Sequence, residues 1–193
     1  MTKVLLTGFE PFGTATSNPS GEIVKQISGD NIVTAVLPVA YTQSAERLLA
    51  LIAEHNPDVV ICLGQAEGRT QITPEKVAIN LDDARLADNE GVLRNDVKIL
   101  EGGPDAYFST LPVKEIVEAI KSAGVPAAIS LSAGAFLCNH VFYVAQSKFA
   151  GTHVRSGFVH VPLMDSQAPE FPGLPTMPLD QMVIAVRAML EVL

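Results

Sequence analysis

The sequence predicts an α/β fold, a three-layer α/β/α sandwich in which helices cover both faces of a mainly parallel, mixed sheet. Three observations support this prediction. Short apolar runs recur with Gly, Pro, Asp or Asn close by, as expected of buried strands that end in turns. Amphipathic segments with helical spacing lie between these runs. The runs are continuously apolar, which is typical of parallel strands buried on both faces.

The expected strands and helices alternate along the chain. In segment 43–55, Leu48, Leu49 and Ile52 recur at helical spacing and give the helix an apolar face. Pro112 stands where proline favours a first helical turn. The predicted strands cover residues 4–6, 32–36, 59–63 and 127–131, and the predicted helices cover residues 43–55, 113–123, 138–150 and 179–193.

The bulk properties favour one domain, residues 1–193, without a nucleic-acid or membrane partner. The length suffices for a single core, and no stretch has the composition of a domain linker. The net charge of −8 disfavours binding to a phosphate backbone. The apolar runs are shorter than the roughly 20 residues of a membrane span, and the first is too short for a signal peptide. We therefore expect a cytoplasmic protein.

Residues 65–112 lack regular periodicity and are rich in charged and polar side chains. A long irregular stretch within a domain usually forms a binding or catalytic loop region. The alternative is a solvated excursion that only caps the sheet. Its acidic residues include Glu75, Asp82, Asp83 and Glu90.

Cys138 is the strongest candidate for a nucleophile. It follows a predicted strand and a turn of small residues, and a helix is expected to begin there. The free N–H groups and partial positive charge of a helix N-terminus stabilise a thiolate and can hold an oxyanion. A lone cysteine is more often a buried structural residue, which is how we interpret Cys62 within its apolar run. With only two cysteines, no disulfide framework is expected.

A nucleophilic thiol needs a base, and the chain has four histidines. His55 and His153 are expected at the surface, and His140 points away from the candidate thiol on the predicted helix. His160 lies in the apolar strand pattern of residues 157–162, so it is either a satisfied core residue or the base. The group that orients the imidazole should be a carboxylate or an amide. Residue patterns alone leave the four acidic residues named above in competition.

Several motifs, from the first predicted strand to just beyond His160, occur in an order that is recognisable. They read TGFEPFG (7–13), NPS (18–20), GQAEGR (64–69), ITPEKVAIN (72–80), DDAR (82–85), DNEG (88–91), GPDAYFSTLP (103–112), SLSAGAFLCNHVFY (130–143) and FVHVP (158–162). Together they resemble the signatures of the pyroglutamyl peptidase I family of cysteine peptidases. Any one of them alone would be weak evidence, whereas the ordered set is highly specific.

The resemblance implies a single α/β/α domain of phosphorylase/hydrolase-like fold, usually a homotetramer, without a cofactor or a metal. It implies that Cys138 is the nucleophile, that His160 is the general base and then acid, and that Glu75 is the orienting carboxylate. The expected reaction removes an N-terminal pyroglutamate from peptides through a thioester acyl-enzyme. Arg85 matches a family arginine that would polarise the scissile carbonyl or hold the site together.

The resemblance also implies a substrate pocket. Pyroglutamate is a neutral lactam without a free α-amine, so it calls for apolar ring contacts and a few polar partners rather than an acidic amine clamp. Phe9 and Phe12 follow the first strand, where open α/β sheets bind ligands, although aromatic residues there can equally belong to the core. The residues expected to bind substrate are Phe9, Phe12, Asn18, Gln65, Arg85, Phe136 and Leu137.

Two other functions are compatible with parts of the sequence. A nucleoside-phosphorylase-like transferase has a similar fold, but it requires a basic, Gly-rich phosphate site, and no such cluster stands out. A binding protein for capped peptides would keep the pocket and lose turnover, which the complete Cys–His–Glu set argues against. Thiol alkylation separates these functions, because only the peptidase should lose turnover when Cys138 is blocked.

Overall fold

A computed structural model describes residues 2–193 of the chain. A five-stranded mixed sheet lies at the centre of this structure. Every helix in that range is too short or too polar to cross a bilayer. The elements are, in chain order, β1 (Val4–Phe9), α1 (Pro19–Gln26), β2 (Ile32–Leu37), α2 (Tyr41–His55), β3 (Val59–Gln65), β4 (Thr73–Pro74), β5 (Val77–Ile79), β6 (Ala106–Phe108), α3 (Val113–Ser122), α4 (Leu137–Phe149), β7 (Arg155–Val161), β8 (Leu163–Met164), β9 (Thr176–Met177) and α5 (Leu179–Leu190).

The strand order of the central sheet is β2-β1-β3-β7-β4. The first four strands are parallel, and β4 runs antiparallel to β7 at the edge. Strands β1 and β3 are buried along their whole length, as continuously apolar parallel strands require. The predicted mainly parallel, mixed sheet is therefore confirmed.

Helices cover both faces of this sheet. On one face, α1, α3 and α5 pack over a core that includes Leu6, Ile61 and Val159. On the other, α2 and α4 pack over a core that includes Leu5 and Phe158. Neighbouring residues of one strand thus enter different cores, because successive side chains point to opposite faces of a sheet. This arrangement is the predicted three-layer sandwich.

The prediction of a strand at residues 127–131 is wrong. This segment makes only two isolated parallel bridges, Ala127 with Ile72 and Ser130 with Glu75. The backbone bonds on either side are present, since Ala128 N–H donates to the Ile72 carbonyl at 3.1 Å and Ser130 N–H donates to the Pro74 carbonyl at 3.0 Å. The bond expected between them would need an N–H at position 74, which proline lacks. Pro74 therefore interrupts the ladder.

The helix α1 was not predicted from periodicity. Asn18 caps it, because its side-chain oxygen accepts the Ser20 N–H at 3.1 Å and the Ser20 hydroxyl at 2.8 Å. Pro19 occupies the first turn, where a missing N–H costs little. The four predicted helices are confirmed, with every start within two residues of the predicted one and the last helix ending at Leu190. Segment 65–112 contains three short strands, β4, β5 and β6.

Candidate active site

Cys138 lies at the second position of α4, after a loop of small residues that ends at Phe136. Phe136 provides no side-chain cap, so the N–H groups of the first turn keep their donor capacity. The next residue fixes the helix in place, because the Asn139 amide accepts from Ile79 N–H and donates to the Ile79 and Leu81 carbonyls, each at 2.9 Å. The predicted position of the thiol at a helix N-terminus is confirmed.

The thiol of Cys138 lies directly against strand β3 at Gly64. A Cβ atom at position 64 would stand 2.7 Å from the sulfur and 2.6 Å from Cζ of Phe158. Only glycine leaves room for this contact, because real Cβ atoms do not approach other heavy atoms so closely. The sequence around residue 64 therefore determines how near α4 can come to the sheet.

His160 of β7 contacts Glu75, the residue directly after β4. His160 is on β7 and pairs with Thr73 of β4, while Glu75 N–H donates to the Phe158 carbonyl at 2.9 Å. This register places Nδ1 of His160 2.7 Å from Oε1 of Glu75, and both side chains are buried. A carboxylate paired with arginine accepts rather than donates, so Nδ1 carries the proton and Nε2 keeps its lone pair.

Arg69 is a residue of this site to which the sequence analysis gave no role. Its Nη1 lies 2.8 Å from the same Glu75 oxygen and also contacts the Thr73 hydroxyl. Its Nη2 donates at 3.0 Å to the Ser132 carbonyl, in the loop before Cys138. One guanidinium thus connects the carboxylate to the loop that carries the nucleophile. The only signal in the sequence was its place at the end of the GQAEGR motif.

Burial determines the protonation states of Cys138 and His160. It raises the pKa of the Cys138 thiol to about 12, and the nearby Glu75 carboxylate adds to that rise while Arg69 opposes it. Burial also lowers the pKa of His160 from its usual 6.5, against the raising effect of Glu75. The resting pair is therefore a neutral thiol and a neutral imidazole. The helix N-terminus alone was expected to favour a thiolate, and desolvation outweighs it.

Cys138 and His160 line one cavity of about 540 Å³, counting the space at its mouth. Cys138 is partly exposed and is one of the lining residues. Val39 and residues 133–135 also line the cavity, although they were not among the residues predicted to bind substrate. Of the predicted substrate-binding residues, the cavity is lined by Phe9, Phe12, Asn18, Gln65, Phe136 and Leu137.

The polar groups of Asn18 are already used within the protein. Its side-chain oxygen caps α1, and its Nδ2 donates to the Glu10 carbonyl at 3.0 Å. Gln65 differs, because its Oε1 accepts from Gln167 at 2.9 Å while its buried Nε2 has no hydrogen-bond partner among residues 2–193. Gln65, which lines the cavity, therefore has a buried side-chain donor that no other described residue uses.

Arg85, also predicted to bind substrate, lies outside this lining. It is exposed and borders a neighbouring depression that shares Ala135 and Phe136 with the cavity. The geometry brings Arg69 rather than Arg85 to the Glu75 carboxylate. The role of Arg85 stays a prediction.

The other histidines and acidic residues are placed elsewhere. His153 is exposed, and His55 is half-buried beside Glu54 at 3.7 Å. His140 has a carboxylate of its own, with Nδ1 2.9 Å from Asp82, which also pairs with Arg94 at 2.7 Å. Asp83 and Glu90 are exposed.

Comparison with known proteins shows the family to which the chain belongs. The profile of the pyroglutamyl peptidase family matches residues 2–193. The chain belongs to the pyroglutamyl peptidase family. Among curated relatives, pyrrolidone-carboxylate peptidase 1 of Ralstonia nicotianae is 48% identical over 198 residues, covering 99% of this chain and 92% of the relative. The enzyme of Aliivibrio fischeri is 46% identical over 200 residues, covering 99% and 94%.

Solved structures of pyroglutamyl peptidases have the same fold. Pyroglutamyl peptidase I of Bacillus amyloliquefaciens superposes with a TM-score of 0.94 at 44% identity, covering 98% of this chain and 95% of that one. A mutant pyrrolidone carboxyl peptidase of Pyrococcus furiosus gives 0.92 at 40% identity, covering 98% and 97%. Membership in this family of cysteine peptidases makes the chain a hydrolase, and it supports pyroglutamyl peptidase activity.

Proposed function

We propose that this chain hydrolyses the bond after an N-terminal pyroglutamyl residue, with Cys138 as nucleophile, His160 as general base and acid, and Glu75 as orienting carboxylate. The observation that carries the proposal is the contact of Glu75 with Nδ1 of His160, while His160 and Cys138 line the same cavity. This contact leaves Nε2 as the basic nitrogen, as a nucleophile–base–carboxylate triad requires.

In the first half of the reaction, the Cys138 proton passes to Nε2 of His160 as the sulfur attacks the scissile carbonyl carbon. Because the resting groups are neutral, this proton transfer accompanies the attack. The uncapped N–H groups at the start of α4 would receive the oxyanion. Collapse of the tetrahedral intermediate breaks the C–N bond, and the leaving amine takes the proton from His160. The product is a thioester on Cys138.

In the second half, a water molecule loses a proton to His160 and attacks the thioester carbonyl. Collapse of this intermediate expels the Cys138 sulfur, which regains the proton from His160. Pyroglutamate leaves with a free carboxyl group. Glu75 stabilises the imidazolium in both halves and is not itself protonated.

The composition of the cavity supports pyroglutamate as the substrate. Among the described residues that line it there is no Asp or Glu, so an ordinary N-terminal ammonium group would enter without a counter-charge. The rings of Phe9, Phe12 and Phe136 offer apolar surfaces to a five-membered ring. The same lining contains no Lys or Arg, which does not suit the phosphate of a phosphorylase.

The test is turnover of a pyroglutamyl-amide reporter, with a prolyl-amide reporter as the specificity control. We expect wild type to cleave only the pyroglutamyl compound, and Cys138→Ala to lose this activity by roughly 10⁶-fold with the fold retained. Cys62→Ala is the matched thiol control, since Cys62 is fully buried on β3 and lies outside the cavity lining. A folded, reduced wild type without turnover would favour the peptide-binding alternative.

We also propose that residues 1–193 act as one peptidase domain, because both cores share the central sheet. Coincident unfolding by near- and far-UV circular dichroism would test this. The homotetramer implied by the family and the cytoplasmic location stay predictions, and sedimentation velocity would test the first of them.

A further inference from the structure

Gln167 has a fully buried side-chain amide that contacts the cavity residue Gln65, which lies 102 positions earlier in the chain. It ends a short 3-10 turn, Asp165–Gln167, after β8. Its Oε1 accepts the Met164 N–H at 3.0 Å. Its Nε2 donates to the Ser17 carbonyl at 3.1 Å and to Oε1 of Gln65 at 2.9 Å. No part of Gln167 lines the cavity.

These contacts determine which way the Gln65 amide faces. The Met164 N–H can only donate and the Ser17 carbonyl can only accept, so the Gln167 amide has one allowed orientation. That orientation points Nε2 of Gln167 at Gln65, so Gln65 must accept this hydrogen bond with its side-chain oxygen. The Gln65 amide cannot turn over without opposing two N–H groups to each other.

The consequence is a buried, unpaired donor on a residue that lines the substrate cavity. Gln65 is 7% exposed, lines the cavity, and its Nε2 has no hydrogen-bond partner among residues 2–193. A buried donor without an acceptor is costly, so a ligand that brings an acceptor is favoured. The lactam carbonyl of a pyroglutamyl ring is such an acceptor, and a proline ring lacks it.

We propose that Gln167 is a positioning residue for substrate specificity, which fixes the Gln65 amide so that a donor, not an acceptor, meets the lactam carbonyl. This inference rests on the proposed function. Gln167 does not touch the substrate and acts only through Gln65. Its effect belongs to recognition of the ring and not to the chemistry at Cys138.

The test is a double-mutant cycle with Gln65→Met and Gln167→Met. The readout is the affinity of 2-pyrrolidone, the lactam ring alone, measured by its protection of Cys138 from iodoacetamide. We expect each single substitution to weaken pyrrolidone binding by roughly 10- to 100-fold. In the Gln65→Met background, Gln167→Met should weaken it no further, because the amide that it orients is absent.

Two further readouts separate positioning from a merely structural role. The rate of Cys138 alkylation without pyrrolidone should be the same in wild type and in Gln167→Met. With the pyroglutamyl-amide reporter, KM should rise while kcat changes little, because the ring contact is present before and during reaction. The matched control is Glu170→Gln, which alters the nearby contacts to Thr16 at 3.0 and 2.8 Å without touching Gln65. It should bind pyrrolidone like wild type.

The outcomes are distinct. Equal pyrrolidone affinity in wild type and Gln167→Met, or additive losses in the double variant, would overturn the role of Gln167. A wild type that cleaves no pyroglutamyl reporter and binds no pyrrolidone would instead remove the proposed function itself.

Discussion

The Glu75 carboxylate lies 2.7 Å from Nδ1 of His160, and this distance is set by the pairing of two strands that run in opposite directions. Thr73 and Pro74 of β4 pair with His160 and Val159 of β7, which carries Glu75 past the imidazole. The orientation of the base therefore depends on backbone hydrogen bonds as well as on side chains.

Glu75→Gln should lower kcat by roughly 10⁴-fold, because an amide N–H facing Nδ1 favours the wrong tautomer of His160. Steady-state kinetics with a pyroglutamyl-amide reporter measure the loss. The matched control is Glu67→Gln in the same segment, whose side chain is exposed and should tolerate the change. Retention of more than a tenth of wild-type kcat in Glu75→Gln would contradict this role for the carboxylate.

Arg69→Gln should reduce kcat by up to about 100-fold, because the loop before Cys138 and Glu75 both lose their common partner. It should also move the acid limb of the pH–rate profile to higher pH, because the Arg69 charge lowers the pKa of His160. Arg85→Gln serves as the comparison and should leave the position of this limb unchanged. If the acid limb moved in Arg85→Gln and not in Arg69→Gln, then Arg85 rather than Arg69 would be the arginine that acts on His160.

For wild type, kcat/KM should fall on the acid side only below pH 6.5. Only the neutral imidazole can accept the Cys138 proton, and burial lowers the pKa of His160 from 6.5, so the base stays competent into mildly acidic solution. Because burial raises the thiol pKa to about 12, no alkaline limb from Cys138 should appear below pH 9. Measuring kcat/KM from pH 5 to pH 9 tests both expectations. An acid limb that begins above pH 6.5, or an alkaline limb below pH 9, would contradict them.

Iodoacetamide should alkylate Cys138 about tenfold faster for each unit of pH between 7 and 10. The reactive species is the thiolate, and its fraction grows in this proportion while the pH stays below a thiol pKa of about 12. Mass spectrometry of Cys138→Ala should show no labelling under the same conditions, since Cys62 is fully buried. A rate that levels off near pH 7 would mean a resting thiolate.

Gly64→Ala should reduce both activity and stability. The added Cβ would lie 2.7 Å from the Cys138 sulfur and 2.6 Å from the Phe158 ring, so α4 or the ring must shift. We expect a loss of roughly 1–3 kcal/mol in the free energy of unfolding, with kcat lower as well. Gly29→Ala is the control, because its nearest neighbour is the flexible end of Ile32 at 3.1 Å. Similar kinetics in the two variants would exclude the close packing at Gly64.

The sequence predicted the sheet, most helices and the residues that meet at the cavity, because apolar runs and ordered motifs are local signals. It failed at residues 127–131, where the interruption depends on Pro74, a residue of the partner segment. It also missed Arg69 and Gln167. Their partners, Glu75 with Ser132 and Gln65 with Ser17, lie across loops whose path no periodicity reveals.

The sequence likewise could not predict that burial raises the pKa of the Cys138 thiol. A helix N-terminus can be predicted from a local pattern, and its partial charge lowers a thiol pKa. The opposing desolvation comes from the strands and the ring that surround Cys138, and it is the larger effect. Tertiary packing decides the resting protonation state.

Strand β7 is made late in synthesis, yet it lies between β3 and β4. A nascent chain that has not reached residue 155 therefore leaves β3, a strand of seven buried residues, as an open edge. An open edge of this kind can pair with other chains, so the unfinished polypeptide is more prone to aggregation than the complete one. Turnover begins only after the last core strand is inserted, so its recovery on refolding reports complete assembly of the sheet.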